Sequence, residues 1–70
     1  MRYLVQKIIE ILGTSEESFS RAADNAIQVA AQTVRGITWA KVTELDCKVE
    51  NGRVKEYRAV LRIFFEVERL

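Results

Sequence analysis

The sequence has 70 residues, with 11 basic and 10 acidic side chains, one cysteine and no histidine. A chain of this length forms one domain, residues 1–70, and buries only about 60% of its unfolded surface, so its own core gives marginal stability. Cys47 has no second cysteine to pair with and no histidine with which to bind zinc, which leaves oligomerisation as the expected source of further stability.

Residues 4–12 predict a first β-strand. The segment is short and rich in β-branched residues, and Gly13 follows it as the residue expected to stop the strand. Ile9 and Ile11 would lie on one face and Ile8 on the other. Both faces of this strand are therefore expected to be covered.

A helix is predicted over residues 15–35. Thr14 and Glu17 have the spacing of a capping box, in which the two residues exchange side chain-to-backbone hydrogen bonds, and Gly36 has the position of a helix-ending glycine. Apolar residues recur at spacings of three and four, which predicts one apolar stripe. The stripe consists of Phe19, Ala22, Ala23, Ala26, Ile27, Ala30 and Val34. Because most of these are alanines, the helix can lie close against a sheet.

Two long strands, residues 38–50 and 53–69, are predicted to form a hairpin around Asn51-Gly52, the strongest short hairpin signal. A two-residue turn pairs Glu50 with Arg53, and regular pairing then places Trp39 opposite Phe64. It also places Thr43 opposite Val60 and Leu45 opposite Arg58. A β-bulge near Thr43 would give a different register, which is the alternative.

The element order predicts an α+β fold of the β-α-β-β type. A right-handed strand–helix–strand crossover leaves a gap that the last strand fills, so that strand is central in a three-stranded antiparallel sheet wrapped on one helix. The sheet face away from the helix would expose several large apolar residues in a monomer, which marks an interface or a ligand site. These residues are Trp39, Leu45, Cys47, Val49, Val54, Val60 and Phe64.

Catalytic chemistry is not expected. Without histidine the chain cannot build a Ser–His–Asp or Cys–His set, and its three glycines do not form a dinucleotide-binding fingerprint. Glu44 and Asp46 have the spacing of a carboxylate pair that can do acid–base work or bind a hard cation, but charged residues on long strands usually face water.

The nearly even charge argues against a nucleic-acid partner. The N-terminal residues lack a signal-peptide layout, and no apolar run approaches the roughly 20 residues that a membrane span needs. We therefore expect a soluble cytoplasmic protein that binds neither nucleic acid nor membranes.

The order and spacing of several short segments, spread over essentially the whole chain, resemble those of the dodecin family. The segments are Gly13-Thr14-Ser15-Glu16-Glu17-Ser18-Phe19, Ala26, Thr33-Val34-Arg35, Ile37-Thr38-Trp39-Ala40-Lys41-Val42, Glu50-Asn51-Gly52, Val54, Glu56-Tyr57 and Phe65. Dodecins are small flavin-binding proteins of this element order. The resemblance implies a hollow homododecamer.

The resemblance further implies that pairs of flavins stack between symmetry-related copies of Trp39, and that the protein stores or buffers flavin and quenches its photochemistry. Thr38, Glu44 and Arg58 are the other flavin-contacting residues implied. Flavin-binding dodecins commonly have Gln at the position of Arg58, and an amide both donates and accepts whereas Arg only donates.

A related calcium-binding branch is similar at Arg58 but lacks the Trp. The alternative is therefore a shell-forming or partner-binding module without flavin, with or without a bound cation. Asp46 and Glu66 stand where dodecins that prefer flavin mononucleotide (FMN) tend to have arginines, so riboflavin or lumichrome is expected to bind better than FMN. In the predicted register Trp39 and Arg58 are about 20 Å apart, so a flavin that contacts both must lie between subunits.

Overall fold

The computed structural model describes residues 5–67 and contains one helix on a three-stranded sheet. The elements are β1 (Gln6–Ser15), α1 (Phe19–Ala30), β2 (Ile37–Glu50) and β3 (Arg53–Glu66). The strand order is β1-β3-β2, and both pairs are antiparallel. The predicted β-α-β-β order and the central last strand are confirmed. α1 packs against β1 and β3, so one face of the sheet is left without a helix.

The sequence predicted that Gly13 would stop the first strand, but β1 continues through Gly13 to Ser15. Gly13 pairs with Ala59 and is buried under the helix. A Cβ at Gly13 would overlap the carbonyl oxygen of Ala22 and lie 2.7 Å from the Cβ of Ala26. The glycine is thus needed for the close approach of helix to strand, not to stop the strand.

The helix is shorter at both ends than the predicted 15–35. Its N-cap is Ser18, whose hydroxyl accepts a hydrogen bond from the backbone N–H of Arg21 at 3.0 Å. Thr14 instead pairs with Arg58 inside β1, so the predicted Thr14–Glu17 capping box is wrong. At Thr14, the backbone pairing with β3 therefore prevails over the local sequence pattern that favours a helix cap.

The C-terminal end of α1 also differs from the prediction, because the helix stops at Ala30 and Val34 lies beyond it. Gly36 has the positive φ of +76° that favours glycine, but it lies directly before β2 and does not cap the helix. The hairpin turn is as predicted: Asn51 and Gly52 have φ values of +52° and +73°.

We expect Ser18→Ala to lower the free energy of unfolding by about 0.5–2 kcal/mol, because it removes the N-cap acceptor. Urea denaturation at one fixed protein concentration measures the change. Thr14→Ala is the matched control, since Thr14 caps no helix and is exposed. A loss with Thr14→Ala that equals the loss with Ser18→Ala would contradict this helix start.

The hairpin register follows the prediction at both ends and departs from it in the middle. Trp39 pairs with Phe64 and Glu50 with Arg53, as predicted, but register shifts lie between Val42 and Glu44 and between Lys48 and Val49. The first is the bulge at Thr43 that was the alternative register. A third shift, between Ile37 and Trp39, makes Thr38 a bulged residue as well.

The hydrophobic core is small for a folded domain. Among the described residues, Leu61 and Ile63 are the only large side chains that are fully buried, and alanines make up the rest of the buried apolar set. The molecule measures 58 × 20 × 13 Å, and its Cα radius of gyration is 14.8 Å. A compact domain of this length has a radius of gyration of about 11 Å. An elongated chain with so little core has much apolar surface left to cover.

Candidate functional site

The sheet face without a helix carries the candidate site, and we call it the outer face. Its members follow from β3, where Ile63 and Leu61 are buried toward α1 and the alternating residues therefore point the other way. Residues paired directly with those alternating residues share their face. The outer face comprises Gln6, Ile8, Glu10, Leu12, Thr14, Trp39, Lys41, Glu44, Asp46, Lys48, Glu56, Arg58, Val60, Arg62, Phe64 and Glu66.

Trp39 lies at one end of the outer face and is 70% exposed. It pairs with Phe64, which pairs on its other side with Ile8, so three apolar residues form a row across the sheet. The bulged Thr38 next to it donates to the carbonyl oxygen of Phe64 at 3.5 Å and accepts from Gln6 Nε2 at 3.3 Å. The indole is a flat, accessible surface suited to stacking with an aromatic ligand.

The bulge at Thr43 decides which residues join Trp39 on this face. Regular alternation would have turned Glu44 toward the helix side, but Glu44 pairs with Val60 and lies on the outer face. The predicted placement of Leu45 opposite Arg58 on the outer face is wrong, because Leu45 pairs with Ala59 on the helix side. The register shift exchanges the faces of these two residues.

Asp46 takes the place opposite Arg58 and forms a bidentate ion pair with it. Arg58 Nε lies 2.7 Å from Asp46 Oδ1, and Arg58 Nη2 lies 2.8 Å from Asp46 Oδ2. These hydrogen bonds, with the guanidinium charge, hold the pKa of the Asp46 carboxyl below its ordinary value and raise the pKa of Arg58. Regular pairing from the Asn51-Gly52 turn does not give Arg58 this partner, whereas the alternative register with a bulge near Thr43 does.

Arg58→Ala is expected to raise the pKa of Asp46 toward its ordinary value of 3.8. Because folding lowers this carboxyl's pKa, the pair's contribution to stability is fully present above pH 3.8 and disappears as the pH falls through the lowered value. An NMR titration of the Asp46 carboxyl carbon measures the change. Arg62→Ala removes a cation of the same face that does not contact Asp46, and an equal rise with that control would contradict the assignment.

Within one chain the predicted site residues form two groups. Glu44, Asp46 and Arg58 lie in neighbouring rows, whereas Trp39 lies opposite Phe64, six residues from Arg58 along β3. At about 3.3 Å per residue, Arg58 is about 20 Å from the Trp39 row. Thr38 belongs to the Trp39 end.

Among residues 5–67, no three His, Cys, Asp or Glu side chains gather in a way that could hold a metal ion. In the same range, no helix has the length and apolar character that crossing a membrane requires. Cys47 is exposed and pairs with Tyr57 on the helix side of the sheet, so it is not part of the outer face that the sequence predicted for it.

Comparison with known proteins agrees with this fold. The family model described as Dodecin matches residues 5–68. The chain is 38% identical over 64 residues to "Dodecin" of Thermus thermophilus, covering 91% of this chain and 93% of that one. It is also 38% identical over 63 residues to "Calcium dodecin" of Mycobacterium tuberculosis, covering 90% and 89%.

A solved structure of dodecin from Streptomyces coelicolor superimposes with a TM-score of 0.89 at 31% identity and covers 93% of both chains. The architecture is that of a small βαββ domain in which one sheet face has no helix on it and keeps exposed apolar residues. This chain belongs to the dodecin family.

Proposed function

We propose that this protein is a flavin store or buffer that stacks flavins on Trp39 at subunit interfaces and quenches their photochemistry. The observation that carries the proposal is the 70% exposure of the Trp39 side chain beside the apolar Phe64 and Ile8. A flat, electron-poor isoalloxazine ring suits stacking on indole. Membership of the dodecin family supports the same ligand class. We propose binding without catalysis.

The assembled form that we propose is a homododecamer. The helix side of β2 supports self-association, because α1 covers β1 and β3 while Val42 and Leu45 stay 45% and 54% exposed. Large apolar residues are also exposed on the outer face, Ile8 and Leu12 among them, and contact with another subunit would remove them from water. The proposed location is the cytoplasm, which the free, exposed thiol of Cys47 supports.

Thr38, Glu44 and Arg58 are proposed as further flavin contacts, with Arg58 supplied by a different subunit from Trp39. The 20 Å estimate supports this division, since a three-ring system is much shorter than about 20 Å. Riboflavin or lumichrome is the proposed ligand in preference to FMN. The bidentate pair supports this preference, because Asp46 already satisfies the Arg58 guanidinium that would otherwise attract a phosphate.

Titration of the purified protein with riboflavin and FMN, followed by flavin fluorescence, tests the proposal. We expect quenching by both ligands and tighter binding of riboflavin at low salt, with a smaller difference at high salt as charge repulsion is screened. Sedimentation should show one large species in place of a monomer of 8.1 kDa. A large species that quenches neither flavin would favour the alternative, a shell-forming module without flavin.

A further inference from the structure

Lys41 is the charged residue of β2 closest to the exposed indole on the outer face. It pairs with Arg62 in the row next to the Trp39–Phe64 row, and both rows face the same side of the sheet. Two residues along the strand correspond to about 7 Å, which is within reach of a lysine side chain. Arg58, by the same measure, is about 20 Å from Trp39.

The electrostatics of this row leave one cation without an acidic partner. Arg62 Nε lies 3.8 Å from Glu10 Oε2, which offsets the arginine charge. Lys41, in contrast, forms no ion pair or hydrogen bond with any residue from 5 to 67. Like charges directly opposite each other destabilise a sheet. An unpaired ammonium group beside the Trp39 stacking surface can donate a hydrogen bond to an electron-rich acceptor on a molecule that stacks there.

We propose that the Lys41 ammonium donates a hydrogen bond to the carbonyl-bearing edge of the flavin ring stacked on Trp39 of the same subunit. This inference rests on the proposed flavin binding and names the residue that orients the ring. Lysine has three donors and no acceptor, so it selects a carbonyl edge and leaves the dimethylbenzene edge to the apolar row. Its positive charge also stabilises the ring anion that forms when the imide N–H of the same edge loses its proton.

The test compares Lys41→Met with Lys7→Met in the assembled protein. Lys7 is exposed and lies on the opposite face of the sheet, where it pairs with Phe65, so its replacement removes the same charge away from the indole. We expect Lys41→Met to weaken riboflavin binding about tenfold, as loss of a charge-assisted hydrogen bond implies, and Lys7→Met to leave it unchanged. Lys41→Arg should restore most of the affinity.

A second measurement separates ring contact from a structural role. Absorbance titration of bound riboflavin reports deprotonation of the imide N–H, and Lys41→Met should move that transition to higher pH while sedimentation shows the same assembly. Wild-type affinity and an unmoved transition in Lys41→Met would overturn the Lys41 assignment. If the wild-type protein binds riboflavin and Trp39→Ala does not, that result leaves the proposed function standing. Failure of the wild-type protein to bind riboflavin would overturn both.

Discussion

Trp39→Ala is expected to abolish the quenching of riboflavin fluorescence while leaving the oligomer intact. In the proposed function the indole provides the stacking surface and the electron that an excited flavin can accept. The buried Leu61 and Ile63, which hold the subunit together, lie on the other face. Aromatic stacking contributes about 0.5–1.5 kcal/mol beyond the area that it buries, and loss of the burial itself adds to this. Fluorescence titration at fixed protein concentration measures the loss.

Trp39→Phe is the matched variant for this experiment, because it keeps an aromatic face but has a poorer electron donor. We expect it to retain weaker binding with incomplete quenching. Sedimentation of both variants controls for disassembly. Strong quenching that survives Trp39→Ala would show that the stacking surface lies elsewhere on the protein.

Gly13→Ala is expected to have the largest effect on stability, at about 3 kcal/mol, the upper part of the usual range for overpacking. The added methyl would overlap a backbone oxygen of Ala22, and a backbone atom cannot rotate away as a flexible side chain can. The helix would therefore have to move off β1. Urea denaturation of the assembled protein, at one protein concentration, measures the change.

Gly52→Ala is the control for this prediction. Apart from Gly52 itself and its two chain neighbours, no atom lies within 4 Å of a Cβ built at Gly52, so only its left-handed backbone, with φ at +73°, resists the substitution. The expected cost is about 1–2 kcal/mol. A cost for Gly13→Ala no greater than that for Gly52→Ala would contradict the close packing of α1 on β1.

The fold was predictable from the sequence because its main signals are local and strong. The Asn51-Gly52 turn specifies the hairpin, and the apolar stripe specifies the helix face. Element ends were less predictable, since Thr14 has a good capping pattern and also a partner in β3. Sequence alone does not show that the second interaction is available, because it depends on a strand more than forty residues further along the chain.

For the candidate site, the sequence singles out residues by their type but does not give their arrangement. Trp39 and Arg58 stand out by their type, whereas the Asp46 partner depends on where the bulge falls. Pairing beyond this bulge changes by one residue and reverses the side chains from Glu44 to Lys48, until the shift between Lys48 and Val49 restores the predicted register. Nothing in the alternation of residues around Thr43 sets that position, because Thr, Glu and Leu are all tolerated on an exposed strand.

The bulges at Thr38 and Thr43 have a second consequence, which concerns the free edge of the sheet. β2 is an edge strand of 14 residues, and a long regular edge is a template for adding further strands into open fibres. Two interruptions twist such an edge and break the run of hydrogen-bonding groups that an incoming strand would need. The bulge that places Glu44 and Asp46 on the outer face therefore also makes β2 a poorer template for the addition of further strands.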